Sequence, residues 1–138
     1  MISYTVDSIL SITNLSLSMA EYDGAIPYDS DFIPFNYMKR EKINAYIKKW
    51  SEMGDVINRE MKQYLEINCI ENPNRLFVSN DWIPFAEFNN GSHVFALMKN
   101  SPFAGTVLGL YEGPYSVIRI CESLDKFIVI GKENLTKL

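Results

Sequence analysis

The chain has 138 residues, of which 47% are hydrophobic and 22% are charged, with seven glycines and six prolines. This composition excludes a disordered or fibrous protein and predicts one domain over residues 1–138 with a continuous core. The net charge of −4 argues against nucleic-acid binding, which needs a broad positive surface.

The chain shows no targeting or membrane-spanning pattern. Residues 1–7 lack the positive and apolar regions of a signal peptide, and no apolar run approaches the roughly 18 residues that cross a bilayer. Cys69 and Cys121 have no CxxC partner and are expected to be reduced thiols. These observations predict a cytoplasmic protein without membrane contact.

Charge is unevenly distributed near the N-terminus. Residues 1–38 contain five acidic residues and no Lys or Arg, whereas Lys39, Arg40, Lys42, Lys48 and Lys49 follow closely. Pairing between the acidic segment and the basic helix is the interpretation we favour.

The N-terminal half is predicted to be mainly helical. Thr5 is typical of an N-cap for a helix over residues 6–13, with Asp7 in its first turn. Residues 22–35 contain two prolines and several turn formers, which favours a packed loop with short extended pieces. A helical period then begins at Lys39, with its apolar face formed by Ile43, Tyr46, Ile47 and Trp50.

The helical period resumes after Gly54, so we expect a break there and a second helix that ends before Asn72-Pro73-Asn74. The second half then has strand character. Pro84 favours an edge strand or strand end, because proline donates no hydrogen bond to a neighbouring strand. The predicted strands are Leu76–Val78, Trp82–Phe85, His93–Met98, Gly105–Tyr111 and Tyr115–Cys121, the last two joined by a turn at Glu112-Gly113-Pro114.

Ser123 caps a predicted final helix, with Asp125 in its first turn. The fold class is therefore α+β. An antiparallel sheet of four to six strands occupies the C-terminal half, with helices from the N-terminal half and the C-terminus packed on one face.

The sequence offers little catalytic chemistry. His93 is the only histidine, neither cysteine is locally placed as an activated nucleophile, and no phosphate-binding glycine string is present. Metal ligation would need clustered His or Cys residues. We therefore expect no catalytic residue, metal or cofactor, and a hydrolase would require a pocket that brings His93 to a carboxylate.

Trp50 and Trp82 lie in apolar patterns and are expected to be core residues. Polar residues at strand ends are better candidates for contact with a partner, because an acidic rim with tyrosines suits steering toward a basic protein. The candidate partner-binding residues are Asp81, Glu87, Asn89, Asn90, Tyr111, Glu112 and Tyr115. A solvated rim with no partner is the alternative.

The ordered motifs from Trp82-Ile83-Pro84-Phe85-Ala86 to Ser123-Leu124-Asp125-Lys126-Phe127 resemble the SUKH superfamily of fungal cell-wall assembly regulators and bacterial immunity proteins. The resemblance covers residues 50–130, with structural motif residues Trp50, Trp82, Ile83, Pro84, Phe85, Gly91, Gly105, Gly113 and Phe127. It departs from the family pattern at residues 97–102, where an acidic D-L-D-P segment is usual, and at Leu124, where Phe is usual. The N-terminal helical part is atypical or shortened.

The resemblance implies a non-catalytic intracellular protein-binding module, as in an immunity protein that blocks a toxin domain. The alternative it implies is a regulatory or scaffolding protein. In either case we expect another protein as partner, possibly a basic toxin domain, no nucleic acid, and a monomer or weak homodimer.

Overall fold

A computed structural model of the chain describes residues 3–28, 30–61, 81–100, 103–111 and 116–138. In these ranges the chain forms α-helices and one six-stranded antiparallel sheet, whose strands are neighbours in chain order. The predicted α+β fold class is confirmed. The helices are α1 (Val6–Thr13), α2 (Arg40–Met61) and α3 (Leu124–Leu135), and the strands are β1 (Gly24–Tyr28), β2 (Asp31–Tyr37), β3 (Trp82–Phe88), β4 (His93–Met98), β5 (Val107–Tyr111) and β6 (Ser116–Cys121).

Both predicted N-caps are confirmed. The Thr5 hydroxyl accepts a hydrogen bond from the Ser8 backbone N–H at 3.1 Å, and the Ser8 hydroxyl accepts one from the Thr5 N–H at 2.9 Å. The Ser123 hydroxyl accepts from the Lys126 N–H at 3.1 Å. These bonds satisfy N–H groups that have no partner inside the first turn of a helix.

Residues 22–35 were predicted as a packed loop with short extended pieces, but the extended pieces are paired strands, because β1 and β2 form an antiparallel hairpin in which Ile26 is opposite Ile33. Both prolines are tolerated by position. Pro27 lies on β1, an edge strand, and Pro34 lies where β2 is paired with β1 alone, since β2 pairs with β3 only at residues 36 and 37. The sheet therefore extends into the N-terminal half of the chain.

The predicted helix break near Gly54 was wrong, because α2 runs without interruption from Arg40 to Met61. Gly54 is buried, and its offset from Ile43, Trp50 and Ile57 places all four residues on one face of the helix. Burial along this face offsets the cost of about 1 kcal/mol that glycine imposes on a helix interior. The predicted helix end at residues 72–74 and the strand at residues 76–78 lie outside the described residues.

Pro84 does not mark an edge strand, since β3 lies between β2 and β4. The pairing of β3 with β4 shifts by one residue between Pro84 and Ala86, which is a β-bulge. Pro84 also lies beyond the two residues at which β3 pairs with β2. A strand in the interior of the sheet can thus hold a proline at a position where one of its two neighbouring strands does not pair with it.

The helices cover both faces of the sheet, not one as predicted. Phe127 of α3 packs against Phe85 and Phe95, with ring centroids 5.1 and 5.4 Å apart. On the other face, Trp50 of α2 meets Trp82 edge-on at 6.1 Å. The expectation that both tryptophans belong to the core is confirmed, since their exposed fractions are 6% and 2%.

The sheet curls. Tyr28 on β1 contacts Tyr111 on β5, with ring centroids 5.0 Å apart, although three strands separate β1 from β5 in the sheet order. Curling brings the end of β1 toward the β4 and β5 ends that carry His93 and Tyr111. The curl closes the core that α3 fills.

Candidate functional site

The β3 bulge determines which side chains face α2. In an unbroken strand Trp82 and Glu87, five residues apart, would point to opposite faces. The shift between Pro84 and Ala86 places Glu87 on the same face as Trp82. On β4, Trp82 is opposite Met98 and Glu87 is opposite Val94, and these two partners are four residues apart and so share a face. Both side chains therefore contact α2.

Glu87 is the central acidic residue of this region. It is only 8% exposed, and its two carboxylate oxygens are both engaged by α2. Tyr46 donates its hydroxyl to Oε1 at 3.2 Å, and the Lys42 ammonium lies 2.6 Å from Oε2. A buried carboxylate needs such partners, since burial without them is costly.

The turn after β3 is held in a left-handed conformation. Asn89 and Asn90 have φ of 55° and 52°, and Gly91 has φ of 99°. Asparagine tolerates this region better than most residues, and glycine adopts it without strain. A β-carbon at Gly91 would overlap the Tyr46 hydroxyl oxygen, so glycine is required for Tyr46 to reach Glu87.

These elements border a groove of about 550 Å³ at the N-terminal end of α2 and the end of β3, which we call the Glu87 groove. The exposed Asn89 and Asn90 side chains form one wall, and the exposed Lys39 and Glu41 form another. Its remaining lining residues are Tyr22, Asn36, Tyr37, Met38, Lys42, Glu87 and Phe88. The groove thus carries exposed charged groups of both signs together with two asparagine amides.

The loop before β1 is fixed beside this groove by Asp23, which is 8% exposed. Its two carboxylate oxygens accept from the backbone N–H groups of Ser18 and Tyr37, each at 2.9 Å. The Asp23 N–H in turn donates to the Phe35 carbonyl at 2.9 Å. The next residue back, Tyr22, contacts Phe88 of β3 with ring centroids 6.1 Å apart.

The candidate partner-binding residues do not form one rim. Glu87, Asn89 and Asn90 come together in the Glu87 groove. Asp81 precedes the opposite end of β3, about 20 Å from Glu87 along a strand of this length. There the Asp81 carboxylate accepts from the Asn100 side-chain amide at 2.8 Å, and its carbonyl accepts from the Lys99 N–H at 2.7 Å.

Tyr111 was predicted as a partner-binding residue, but its side chain is only 4% exposed. Burial is the main cause that raises the pKa of its hydroxyl, and the nearby Tyr28 adds to it. Its ring packs against His93 at 4.8 Å between centroids. Tyr111 is thus a core residue, while Glu112 and Tyr115 lie outside the described residues.

The structural motif residues were expected to be packing positions. Trp50, Trp82, Ile83, Phe85 and Phe127 are all less than 7% exposed. Pro84, Gly91 and Gly105 are buried as well, and Gly105 has φ of 93°, which favours glycine. Gly113 lies outside the described residues.

His93 lies in an aromatic setting. Its ring contacts Tyr28, Phe88 and Tyr111, and its Nδ1 is 3.1 Å from the Ser92 hydroxyl. Burial lowers the pKa of the imidazole. A neutral histidine among aromatic rings is typical of a packed side chain.

Sequence reasoning missed Lys42 and Asp23 as partners of the groove and its loop. Tyr46 was assigned to the apolar face of α2, where it does lie, half-buried. Its hydroxyl bond to Glu87, 41 residues away, has no local signal in the sequence.

Among the residues that the structure describes, no three His, Cys, Asp or Glu side chains gather as a metal ion would require. In the same ranges, none of the helices combines the length and apolar character needed to cross a bilayer. Comparison with known proteins found no matching family model, no matching curated protein and no matching solved structure. The resemblance to the SUKH superfamily stays a prediction from the motifs.

Proposed function

We propose that this protein is a non-catalytic protein-binding module of the SUKH type, which acts as an immunity protein by covering the surface of a toxin domain inside the cell. The partner docks on the Glu87 groove. The exposed groups of the groove walls, Lys39, Glu41, Asn89 and Asn90, supply the polar contacts.

The observation that carries this proposal is the engagement of Glu87 by the protein's own Tyr46 and Lys42. A carboxylate with both oxygens occupied is not poised to transfer protons to a substrate. It instead holds the Asn89–Gly91 turn against α2 before any partner arrives. Such preorganisation reduces the ordering that binding must otherwise impose, which supports a recognition surface.

The setting of His93 also favours binding over hydrolysis. A hydrolase would use the single histidine as a base beside a carboxylate, whereas His93 packs among three aromatic rings. The lowered pKa of the imidazole follows from this burial. The aromatic contacts therefore support a structural role for His93.

Co-expression with the product of an adjacent toxin gene tests the proposal. We expect the wild-type chain to restore growth and to bind the purified toxin domain with 1:1 stoichiometry in isothermal titration calorimetry. Glu41→Lys should weaken binding to the basic toxin domain that we expect as partner by about tenfold or more, because it turns the acidic group of the groove walls into a like charge.

Glu133→Lys on α3 is the matched control, since Glu133 is exposed and does not line the Glu87 groove. It should bind as the wild type does. Growth arrest that persists with the wild-type chain, or equal binding by both variants, would refute the immunity function at this groove. Absence of any adjacent toxin gene would favour the regulatory or scaffolding alternative.

A further inference from the structure

Three large apolar side chains project from the segment between α1 and β1. Leu15, Leu17 and Met19 have exposed fractions of 88%, 58% and 106%. We call residues 15–19 the apolar loop. Single exposed apolar residues are common, but three at alternate positions of one segment form a patch of the kind that marks an interaction site.

In the apolar loop the serine side chains are more buried than the apolar side chains that alternate with them, which is the reverse of ordinary packing. Ser16 is 7% exposed and its hydroxyl donates to the Ile12 carbonyl at 3.2 Å. Ser18 is half-buried, and its hydroxyl accepts from the Ala20 N–H at 2.9 Å. Both serine hydroxyls thus bond to the backbone of this region, while the leucines and the methionine are exposed.

The loop is held in place by Asp23, which accepts from the Ser18 N–H at 2.9 Å and from the Tyr37 N–H on β2 at 2.9 Å. The apolar side chains are therefore presented from a backbone tied to the sheet. An ordered backbone lowers the entropy that a partner must offset when it buries these side chains.

The apolar loop is continuous with the Glu87 groove. Tyr22 follows the loop by three residues, lines the groove and contacts Phe88. A partner seated on the groove can reach the loop through Tyr22. Apolar residues beside a polar surface reproduce the arrangement of an interface in which a few side chains carry most of the affinity.

We propose that Leu15, Leu17 and Met19 insert into an apolar cavity on the protein partner, and that Lys and Arg residues border this cavity. The inference rests on the proposed function and adds the hydrophobic contact that the polar groove lacks. Glu21 is exposed next to the loop, and residues 15–31 contain no Lys or Arg. That charge selects a basic border and opposes an anionic membrane surface.

Site-specific photocrosslinking in the cell tests this proposal. The photoreactive residue p-benzoylphenylalanine replaces Met19 in one variant, Asn90 of the groove in a second and Val129 in a third. Val129 is the control, since it is an apolar side chain on α3 with an exposed fraction of 54%. Mass spectrometry then identifies the crosslinked peptide or lipid.

We expect positions 19 and 90 to crosslink to one protein, at position 19 through an apolar peptide flanked by Lys or Arg, and position 129 to give no such product. With that protein purified, the triple variant Leu15→Ser, Leu17→Ser, Met19→Ser should bind at least about 30-fold more weakly than wild type. Val129→Ser should bind normally. Glu21→Lys should weaken binding and reduce its dependence on salt.

Capture of a protein from position 90 but not from position 19 overturns this inference and leaves the proposed function standing. Crosslinks from position 19 to a phospholipid or to a second copy of the chain also overturn it. Unchanged binding by the triple variant does the same, with circular dichroism verifying its fold. If neither position captures a protein, both the inference and the proposed function fail.

Discussion

The hydroxyl of Tyr46 on α2 occupies the space beside Gly91 in which any other residue would place its β-carbon. The same hydroxyl donates to Glu87 at 3.2 Å. One side chain therefore joins the helix to both the end of β3 and the turn that follows it.

Replacing Gly91 by Ala should lower the free energy of unfolding by about 3 kcal/mol. Left-handed backbone strain supplies about 1–2 kcal/mol and overlap with the Tyr46 hydroxyl supplies the rest. In a Tyr46→Phe background the nearest ring atom is Cζ, 3.5 Å from the added methyl, which is an ordinary contact. There Gly91→Ala should cost about 1–2 kcal/mol.

A double-mutant cycle measured by urea denaturation checks this prediction. The coupling between the two substitutions should exceed about 1 kcal/mol. Additive effects would mean that the hydroxyl does not restrict position 91.

Replacing Glu87 by Gln should reduce stability by about 1–2 kcal/mol, because the ion pair between its buried carboxylate and the half-exposed Lys42 ammonium is lost. Glu122→Gln is the matched control. Glu122 pairs with Lys126 on the exposed surface, where water and salt screen the charges. We expect no change in the urea midpoint for that variant, and a Glu87→Gln protein as stable as wild type would contradict the prediction.

Replacing Asp23 by Ala should cost about 3 kcal/mol, since two backbone donors lose a charged acceptor and the Tyr37 N–H is buried. Hydrogen exchange at the Ser18 amide should also accelerate, because that donor is freed. Asp31→Ala, at an exposed position of the same hairpin, should change stability by less than about 0.5 kcal/mol. If the Ser18 amide is as well protected from hydrogen exchange in the Asp23→Ala variant as in the wild type, another contact must fix the loop.

Stability should fall with acid as His93 becomes protonated. Burial lowers the pKa of the folded imidazole, so the unfolded chain binds the proton more readily. The contribution is complete above the unfolded pKa of about 6.5 and is lost as pH falls through that value toward the folded pKa. His93 is the only histidine, so its NMR titration is unambiguous.

The His93→Gln variant should lose this part of the pH dependence between about pH 7 and 5. A folded-state titration midpoint at or above the usual histidine value would contradict the prediction.

Local chemistry made several elements predictable. Thr5 and Ser123 predict where their helices begin. A hydroxyl just before a helical apolar pattern can accept a hydrogen bond from a backbone N–H that has no partner in the first turn. The predicted strand His93–Met98 matches β4, since its apolar run is bounded by turn residues. These signals depend only on residues within a few positions.

The errors arose where distant packing decided the structure. Pro27 and Pro34 were weighed as strand breakers, but sheet order places them where no donor is needed. Gly54 continues α2 because its face is buried. Asp81 and Glu87 were joined into one rim although the length of β3 separates them.

The β-bulge in β3 divides the strand into two parts that make different contacts with α2. Residues before it keep Trp82 against Trp50, and residues after it direct Glu87 to Tyr46 and Lys42. Because of the extra residue of the bulge, the Asn89–Gly91 turn can change without altering the hydrophobic core beneath it. Asn89 and Asn90 could therefore be exchanged for other residues that tolerate a left-handed turn while the interior stays unaltered.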